Sequence, residues 1–233
     1  MDTYKRTLLD WQKMLDTNLR KENSWLALAG LFWLDEGENT FGSGDSNDII
    51  FPLDSLPKTI GRFIVEGEKV KLDVTGDTLV DVDGVLSREA FLQPDASDTP
   101  TKLKLGALSF ILIQREDGFG IRLWDNNSPQ RENFPGRQWY PIDENFRIEG
   151  NYQRFSDEKT VSFERKNGAD FEAKVGGQVS FSISGEMYAL LAFEDEEGEL
   201  FIMFRDETNG SETYGSGRYL SVAAPQDGVA IID

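Results

Sequence analysis

The side chains best suited to orienting a ligand are concentrated in one segment, Phe204 to Leu220. Its hydrogen-bonding residues alternate with glycines, which allow a backbone to approach a bound molecule closely. We assign a ligand-binding role to Asp206, Thr208, Tyr214 and Arg218. The same residues could instead tie down a long turn, with Arg218 paired to an acid, and residue types alone favour that reading.

A second polar group surrounds a predicted hairpin. Arg115 and Arg122 lie on its two strands, so one arginine could face a partner while Asp125 accepts a hydrogen bond from it. Tyr140 follows in the next loop and adds an aromatic hydroxyl. We therefore add Arg115, Arg122 and Tyr140 to the predicted ligand-binding residues. Surface ion pairing is the simpler explanation for both arginines, because acids are in large excess.

Paired carboxylates are the remaining apparatus for general acid–base catalysis, because the chain contains no His and no Cys. That composition excludes Ser-His-Asp and Cys-His nucleophiles, the usual zinc sites, iron–sulfur clusters and disulfides. Asp125 and Asp206 are the candidate catalytic pair. Each ends a strand in a faint internal echo, which indicates either two related β halves or the common appearance of hairpins.

The balance of charges bears on the partners of the protein. Lys and Arg number 24 against 42 Asp and Glu, which gives a formal net charge of −18. This excess repels phosphate backbones and anionic lipids, so we expect no nucleic-acid and no membrane partner. We also expect no cofactor and no metal. The residues Asp45, Asn47 and Asp48 are typical of a tight turn, with a calcium site as the alternative.

The elements that must position these residues are predicted to be mainly β. The exception is one N-terminal amphipathic helix over about residues 3 to 22, whose apolar residues are spaced three and four apart. These residues are Tyr4, Leu8, Trp11, Leu15 and Leu19. From about Asn39 onward, short runs of β-branched and aromatic residues indicate antiparallel β-sandwich or barrel sub-domains.

Turn signals that end in glycine separate the predicted strands. The pairs are Glu66-Gly67, Asp83-Gly84, Asp117-Gly118, Asn167-Gly168, Gly176-Gly177, Glu197-Gly198 and Asp227-Gly228. We divide the chain into residues 1–37, a helix with an apolar connector; residues 38–126, a first β sub-domain; and residues 127–233, a second sub-domain packed on the first. The charged first residues carry no secretory pattern, which predicts a cytoplasmic location.

Two stretches carry a family resemblance, residues 24–43 and the segment Phe204 to Leu220. The matching positions are Gly120, Arg122, Asp125, Phe134 and Gly136, and then Asp206, Thr208, Gly210, Thr213, Tyr214, Gly215, Gly217 and Arg218. On these residues the chain resembles, over nearly its whole length, a bacterial and archaeal family called domain of unknown function 1684. The resemblance implies no established activity.

Members of that family usually continue past the residue that matches Asp233 into a further motif and a tail containing Cys-Pro, whereas this sequence stops at Asp233. We expect part of the family's functional surface to be absent here, either because the sequence is incomplete or because this member lacks the segment.

Residues 38–125 resemble a forkhead-associated β-sandwich in Thr40-Phe41-Gly42, in Gly84 and in Leu105-Gly106. The resemblance implies a shared sandwich fold. It does not imply phosphothreonine binding, because Ser43 and Gly44 stand where the family places its arginine.

These observations favour a non-catalytic β-rich module that binds a small polar or anionic ligand, or a peptide. Two alternatives stay open. One is a carboxylate-dependent hydrolase of a sugar-like substrate, with Asp125 and Asp206 as acid and base. The other is a structural protein-interaction module, which a large exposed patch from Trp25 to Trp33 would favour.

Overall fold

The computed structural model describes residues 3–116, 118–164 and 170–233. The chain divides into two compact units, Met1–Trp139 and Tyr140–Asp233. Both units consist mainly of antiparallel β-sheet, and one long helix stands at the N-terminus, which confirms the predicted fold class. Asp117 of one predicted turn, and the whole Asn167-Gly168 turn, lie outside the described residues.

The N-terminal helix α1 spans Thr3–Leu19, inside the predicted range. Its apolar stripe is only partly covered, and no residue of α1, all of which are described, is fully buried. Trp11 packs against Trp139 with 5.5 Å between ring centroids. Just beyond the helix, Arg20 donates from Nη2 to the Phe134 carbonyl oxygen at 2.9 Å and lies over the Phe134 ring. The segment 134–139 therefore supports α1.

The first unit is a sandwich of two sheets. Its strands are β1 (Leu28–Trp33), β2 (Gly37–Gly42), β3 (Ile49–Ile50), β4 (Gly61–Glu66), β5 (Lys69–Val74), β6 (Val80–Val82), β7 (Val85–Ser87), β8 (Glu89–Leu92), β9 (Lys102–Leu105), β10 (Leu108–Arg115) and β11 (Gly118–Asp125). Over the described residues, one sheet has the order β1-β11-β10-β9-β6-β7 and the other β3-β2-β4-β5-β8. Neighbouring strands run antiparallel, except that β3 is parallel to β2.

Four phenylalanines fill the centre of this sandwich, and all are at most 1% exposed. Phe41 stacks on Phe63 with 4.6 Å between ring centroids. Phe110 meets Phe51 edge to face at 5.5 Å. Such aromatic pairs add to the free energy gained by burying apolar area. Around them, strand β5 buries every second residue, as its alternating sequence predicts.

The predicted connector from Trp25 to Leu34 contains a strand. A short 3-10 helix, Trp25–Ala27, leads directly into β1, which pairs antiparallel with β11. Periodicity did not predict this strand, because the run is apolar on both faces and shows no alternation with polar residues. In the structure Leu31 and Trp33 remain about half exposed on one face of β1, while Phe32 packs against the core.

The second unit is a single curved sheet with its own core. Its strands are β12 (Ile148–Glu164), β13 (Asp170–Ile183), β14 (Glu186–Glu194), β15 (Leu200–Phe204), β16 (Arg218–Val222) and β17 (Val229–Ile232). Among the described residues the order is β16-β15-β14-β13-β12-β17. One face of the sheet buries Val179, Phe181, Ala192, Leu200, Ile202, Val222, Ala230 and Ile232.

The predicted turn at Gly176-Gly177 is wrong, because both glycines lie inside strand β13. A Cβ atom on Gly177 would stand 2.5 Å from the Gln153 carbonyl oxygen and 2.6 Å from the Tyr152 ring. The position is therefore glycine because strand β12 and the Tyr152 ring pack directly on its backbone, not because the chain reverses there.

The two units are joined by the stretch between β11 and β12. It contains a one-turn helix, α2 (Pro129–Glu132), and a 3-10 turn, Glu144–Phe146. In the part of the chain that the structure describes, no helix combines the length and the apolar character needed to cross a bilayer.

Replacing Phe110 with Ala should destabilise the first unit by about 3 to 5 kcal/mol, because it leaves a cavity among the packed rings. Urea unfolding followed by tryptophan fluorescence measures this unit alone, since all five tryptophans lie within its bounds. Phe91→Ala is the matched control: Phe91 is 64% exposed, and its loss should cost less than about 1 kcal/mol. Equal losses for the two variants would contradict the assigned core.

Candidate functional site

The loop between β15 and β16, residues 205–217, is closed by one carboxylate. Asp206 Oδ1 accepts hydrogen bonds from the Thr208 backbone N–H at 2.9 Å and from Thr208 Oγ1 at 2.5 Å. Asp206 Oδ2 accepts one from Nη2 of Arg218, the first residue of β16. The start of the loop is therefore bonded to the residue at its end, by a charge-assisted contact.

Neutral side chains hold the interior of the same loop. Asn209 Oδ1 accepts from the Asp206 N–H at 2.6 Å, and Asn209 Nδ2 donates to the Tyr214 carbonyl oxygen at 2.7 Å. The hydroxyls of Thr208 and Thr213 are hydrogen-bonded at 3.0 Å. The structure therefore agrees with the alternative in which these residues tie down a long turn. Asp206 and Thr208 maintain the shape of the loop, whether or not they also contact a ligand.

Arg218 is held on two sides. Its guanidinium carbon lies 4.8 Å from the centroid of the Phe204 ring, and Asp206 binds one edge. Its Nε is buried and has no hydrogen-bond partner among the described residues, although 31% of the side chain is exposed. The buried N–H carries a desolvation cost that no hydrogen bond offsets. The exposed part of the guanidinium can still donate to a further acceptor.

Tyr140 belongs to the same surface. Its hydroxyl donates to Glu212 Oε2 at 2.9 Å, and this hydrogen bond is the main cause that raises the pKa of Tyr140 above its ordinary value. The Arg218 cation is close enough to act on that pKa in the opposite direction. Tyr140 is 59% exposed and Tyr214 is 64% exposed. The second unit therefore brings together five predicted residues: Tyr140, Asp206, Thr208, Tyr214 and Arg218.

Arg115 lies in the first unit and forms a surface ion pair, which the sequence offers as the simpler explanation for this arginine. Its Nη1 and Nη2 bind Asp95 Oδ1 and Oδ2 at 3.0 and 2.8 Å. Arg115 does not contact Asp125, because the two residues stand at opposite ends of the hairpin, where Arg115 faces Gly118 and Asp125 faces Leu108. Asp95 comes from the loop before β9, a contact that strand pairing does not reveal.

Arg122 and Asp125 also belong to the first unit. Arg122 lies between Leu31 and Ile111 in the sheet, and its side chain makes no hydrogen bond or ion pair with a described residue. Asp125 Oδ1 accepts from the Asn127 N–H at 2.9 Å. Asp206 makes the same bond to the residue two positions on, so the echo between the two strand exits reflects a repeated turn. The catalytic pairing of Asp125 with Asp206 stays a prediction.

The glycine-rich segment after β2 forms the predicted tight turn. Asn47 Nδ2 donates to the carbonyl oxygens of Gly44 and Lys58, each at 2.6 Å. Asp48 Oδ2 accepts from Thr40 Oγ1 at 2.7 Å and from the Thr40 N–H, and these bonds lower the pKa of Asp48. Among the described residues, no group of three or more acidic side chains is placed to hold a metal ion.

Two supporting residues were not predicted from the sequence: Phe204, whose ring lies against Arg218, and Glu212, which accepts the hydrogen bond from Tyr140. Both stand inside the segment Phe204 to Leu220, two positions before Asp206 and two before Tyr214. An aromatic residue beside a predicted ligand-binding arginine is the signal that could have identified Phe204.

The loop lies in the part of the chain that matches a known family. Residues 132–233 match the family model described as "Protein of unknown function (DUF1684)". This part of the chain is therefore similar to that family. The match confirms the resemblance drawn from the loop motif, and it carries no activity. The likeness to forkhead-associated domains stays a prediction.

One solved structure is similar to part of the chain, the solution NMR structure of an uncharacterized protein of Haloarcula marismortui. The two are 28% identical, and the match covers 45% of this chain and 60% of that protein, with a TM-score of 0.36. No curated protein matches the chain.

The Asp95–Arg115 pair makes the stability of the first unit depend on pH. Arg115 lowers the pKa of Asp95 below its ordinary 3.8, chiefly by hydrogen bonding. A lowered pKa in the folded state stabilises the fold above the unfolded pKa, and that contribution is lost as pH falls through the folded pKa. Asp95→Asn should therefore lower the urea midpoint near neutral pH, and the gap from wild type should close as pH falls through the lowered folded-state pKa of Asp95.

Tryptophan fluorescence measures this effect, and Asp98→Asn is the control. Asp98 lies in the same loop, is exposed and makes no hydrogen bond or ion pair with a described residue. A gap between Asp95→Asn and wild type that stays constant across the acid range would contradict the ion pair as its cause.

Proposed function

We propose that the chain is a non-catalytic binding module, and that its second unit binds a small polar or anionic ligand, or a peptide carrying such a group, at Arg218. The observation that supports this is the state of the guanidinium, which is fixed by Asp206 and Phe204 while its buried Nε has no hydrogen-bond partner among the described residues. A pre-positioned arginine loses little side-chain entropy when it binds a carboxylate or phosphate.

The neighbouring side chains fit such a ligand. Tyr140 and Tyr214 are exposed aromatic residues, and Glu212 accepts a hydrogen bond from Tyr140 on the same surface. The overall charge of −18 gives an anion no long-range attraction, so affinity has to come from local contacts. We assign the protein to the cytoplasm and propose neither nucleic acid nor membrane as its partner.

The proposal rests on the second unit alone. Arg115 already has both oxygens of Asp95 as partners, so it needs no ligand to be satisfied. Asp125 and Asp206 each serve a turn, and no described contact marks either as a proton donor. Binding is therefore better supported than hydrolysis.

A calorimetric thermal scan with inorganic phosphate, citrate and a phosphothreonine peptide tests the proposal. A probe at a hundred times its dissociation constant adds about 2.7 kcal/mol, which raises Tm by roughly 5 to 11 °C. Arg218→Ala should remove the shift while the variant stays folded by circular dichroism. Arg6→Ala, an exposed arginine of α1, makes the same change of charge and should keep the shift. An equal shift in wild type and Arg218→Ala, or none with any probe, would overturn the assignment.

A protein-interaction module is the second candidate, because aromatic residues of the first unit are unusually open. Trp25 is 80% exposed, Trp33 48% and Leu31 45%. Large apolar side chains that lie close together on a surface commonly mark a site of protein association. The patch also borders β1, an edge strand of its sheet in the described part of the chain.

Sedimentation velocity over a range of concentrations tests whether the protein-interaction module associates with a second copy of itself. Wild type should form a larger species as concentration rises, and Trp25→Ser with Trp33→Ser should stay monomeric. Phe91→Ser removes an aromatic residue that is 64% exposed on the other sheet, and it should behave as wild type. A wild-type chain that is monomeric throughout would count against it.

A further inference from the structure

A second concave site lies in the second unit, where strands β12 and β13 change register. Arg154 pairs with Gly177 and Lys159 with Val175, so residues 155–158 bulge opposite a single residue, Gly176. Beside the bulge is a cleft of about 620 Å³. Its lining includes Arg154, Phe155, Lys174, Gly176, Glu194 and the turn 195–198. We call it the Arg154 cleft. Its volume falls within the range of about 300 to 1,000 Å³ typical of small-molecule sites.

A network of three side chains forms one wall of the cleft. Glu194 accepts hydrogen bonds from the Tyr152 hydroxyl at 2.8 Å, from Arg154 Nε at 2.9 Å and from Arg154 Nη2. The bond from Arg154 is the main cause that lowers the pKa of Glu194, so the carboxylate is ionised near neutral pH. The Glu194 side chain is 13% exposed and that of Arg154 is 69% exposed. The guanidinium is thus anchored along one edge and open along the other.

Gly176 contributes only backbone atoms to the lining of the cleft. A Cβ atom on Gly176 would lie 3.1 Å from Glu194 Cβ and 3.5 Å from the Tyr152 hydroxyl. Any larger side chain at this position would press on the anchored network and reduce the space in front of it. The sequence at the bulge therefore keeps the cleft open.

The acidic turn supplies groups of the opposite sign. Asp195 is used by the turn itself, because its Oδ1 accepts from the N–H groups of Glu197 and Glu199 at 3.0 and 2.9 Å. The side chains of Glu196 and Glu197 are exposed and make no hydrogen bond or ion pair with a described residue. The lining therefore offers two cations, the anchored guanidinium and Lys174, together with two exposed carboxylates whose side chains form no ion pair with a described residue.

We propose that the Arg154 cleft binds a small zwitterion, with a carboxylate on Arg154 and an ammonium group on Glu196 or Glu197. Guanidinium–carboxylate and ammonium–carboxylate contacts are both charge-assisted, and a ligand making both matches the mixed lining better than an anion or a cation alone. The site is separate from the Arg218 site, because the turn 195–198 precedes β15 and the 205–217 loop follows it.

Three probes of similar carbon skeleton test this proposal by isothermal titration calorimetry on the full chain: γ-aminobutyrate, butyrate and butylammonium. Wild type should bind γ-aminobutyrate at least about tenfold more tightly than either single-charge probe. Glu196→Gln with Glu197→Gln should weaken γ-aminobutyrate by about tenfold and leave butyrate unchanged. Both positions are exposed, so this double variant should fold as wild type does.

Arg154→Lys tests the other end of the ligand, because it keeps the charge but loses the two-pronged contact with Glu194. It should weaken both γ-aminobutyrate and butyrate, whereas Arg6→Ala should weaken neither. The proposal is overturned if wild type gives no saturable heat with γ-aminobutyrate, or if the double Gln variant binds it as tightly as wild type. The Arg218 proposal is tested with other probes and another variant, so either can fail without the other.

Discussion

The carboxylate of Asp206 is the group on which the proposed site depends. One of its oxygens organises the turn at Thr208, and the other binds Arg218 at the end of the same loop. Without it, the ion pair between the start and the end of residues 205–217 would be lost, and the hydrogen bond from Arg205 Nη2 to the Gly215 carbonyl oxygen at 3.0 Å would remain. A single ionised side chain thus shapes the loop and fixes the cation, which is why the motif combines hydroxyls, glycines and one arginine.

An excess of acid sets the character of the whole chain. Arg62, Arg115, Arg154 and Arg218 each bind a carboxylate, and Arg62 contacts two of them, Glu38 and Asp73. Exposed pairs of this kind contribute little to stability on their own. They do position the guanidinium groups, and at Arg154 and Arg218 an edge remains available beyond the acid that holds it. In both proposed sites, therefore, an acidic side chain holds an arginine whose remaining edge is available to a ligand.

The sequence predicted the fold class and the first helix because these depend on local periodicity. Val70, Leu72 and Val74 alternate with polar residues in the sequence, and all three are buried in the structure. The glycine motif likewise located the 205–217 loop. Local sequence patterns did not predict the features that depend on residues distant in the sequence. Gly177 is glycine because Tyr152 lies over it, and the apolar run that forms β1 is a strand because β11 pairs with it. The partners of Arg115 and Arg154 lie 20 and 40 residues away, beyond any spacing rule.

The most direct test of the account is the nitrogen-15 NMR signal of the Arg218 Nε–H group during a titration with citrate. The account predicts that this signal shifts in a saturable way with the same dissociation constant as the calorimetric effect, because an anion that binds the exposed part of the guanidinium changes the environment of its Nε–H, which is buried without a partner among the described residues. A signal that stays unmoved while citrate binds elsewhere, or no binding at all, would contradict the assignment of Arg218 as the centre of the site.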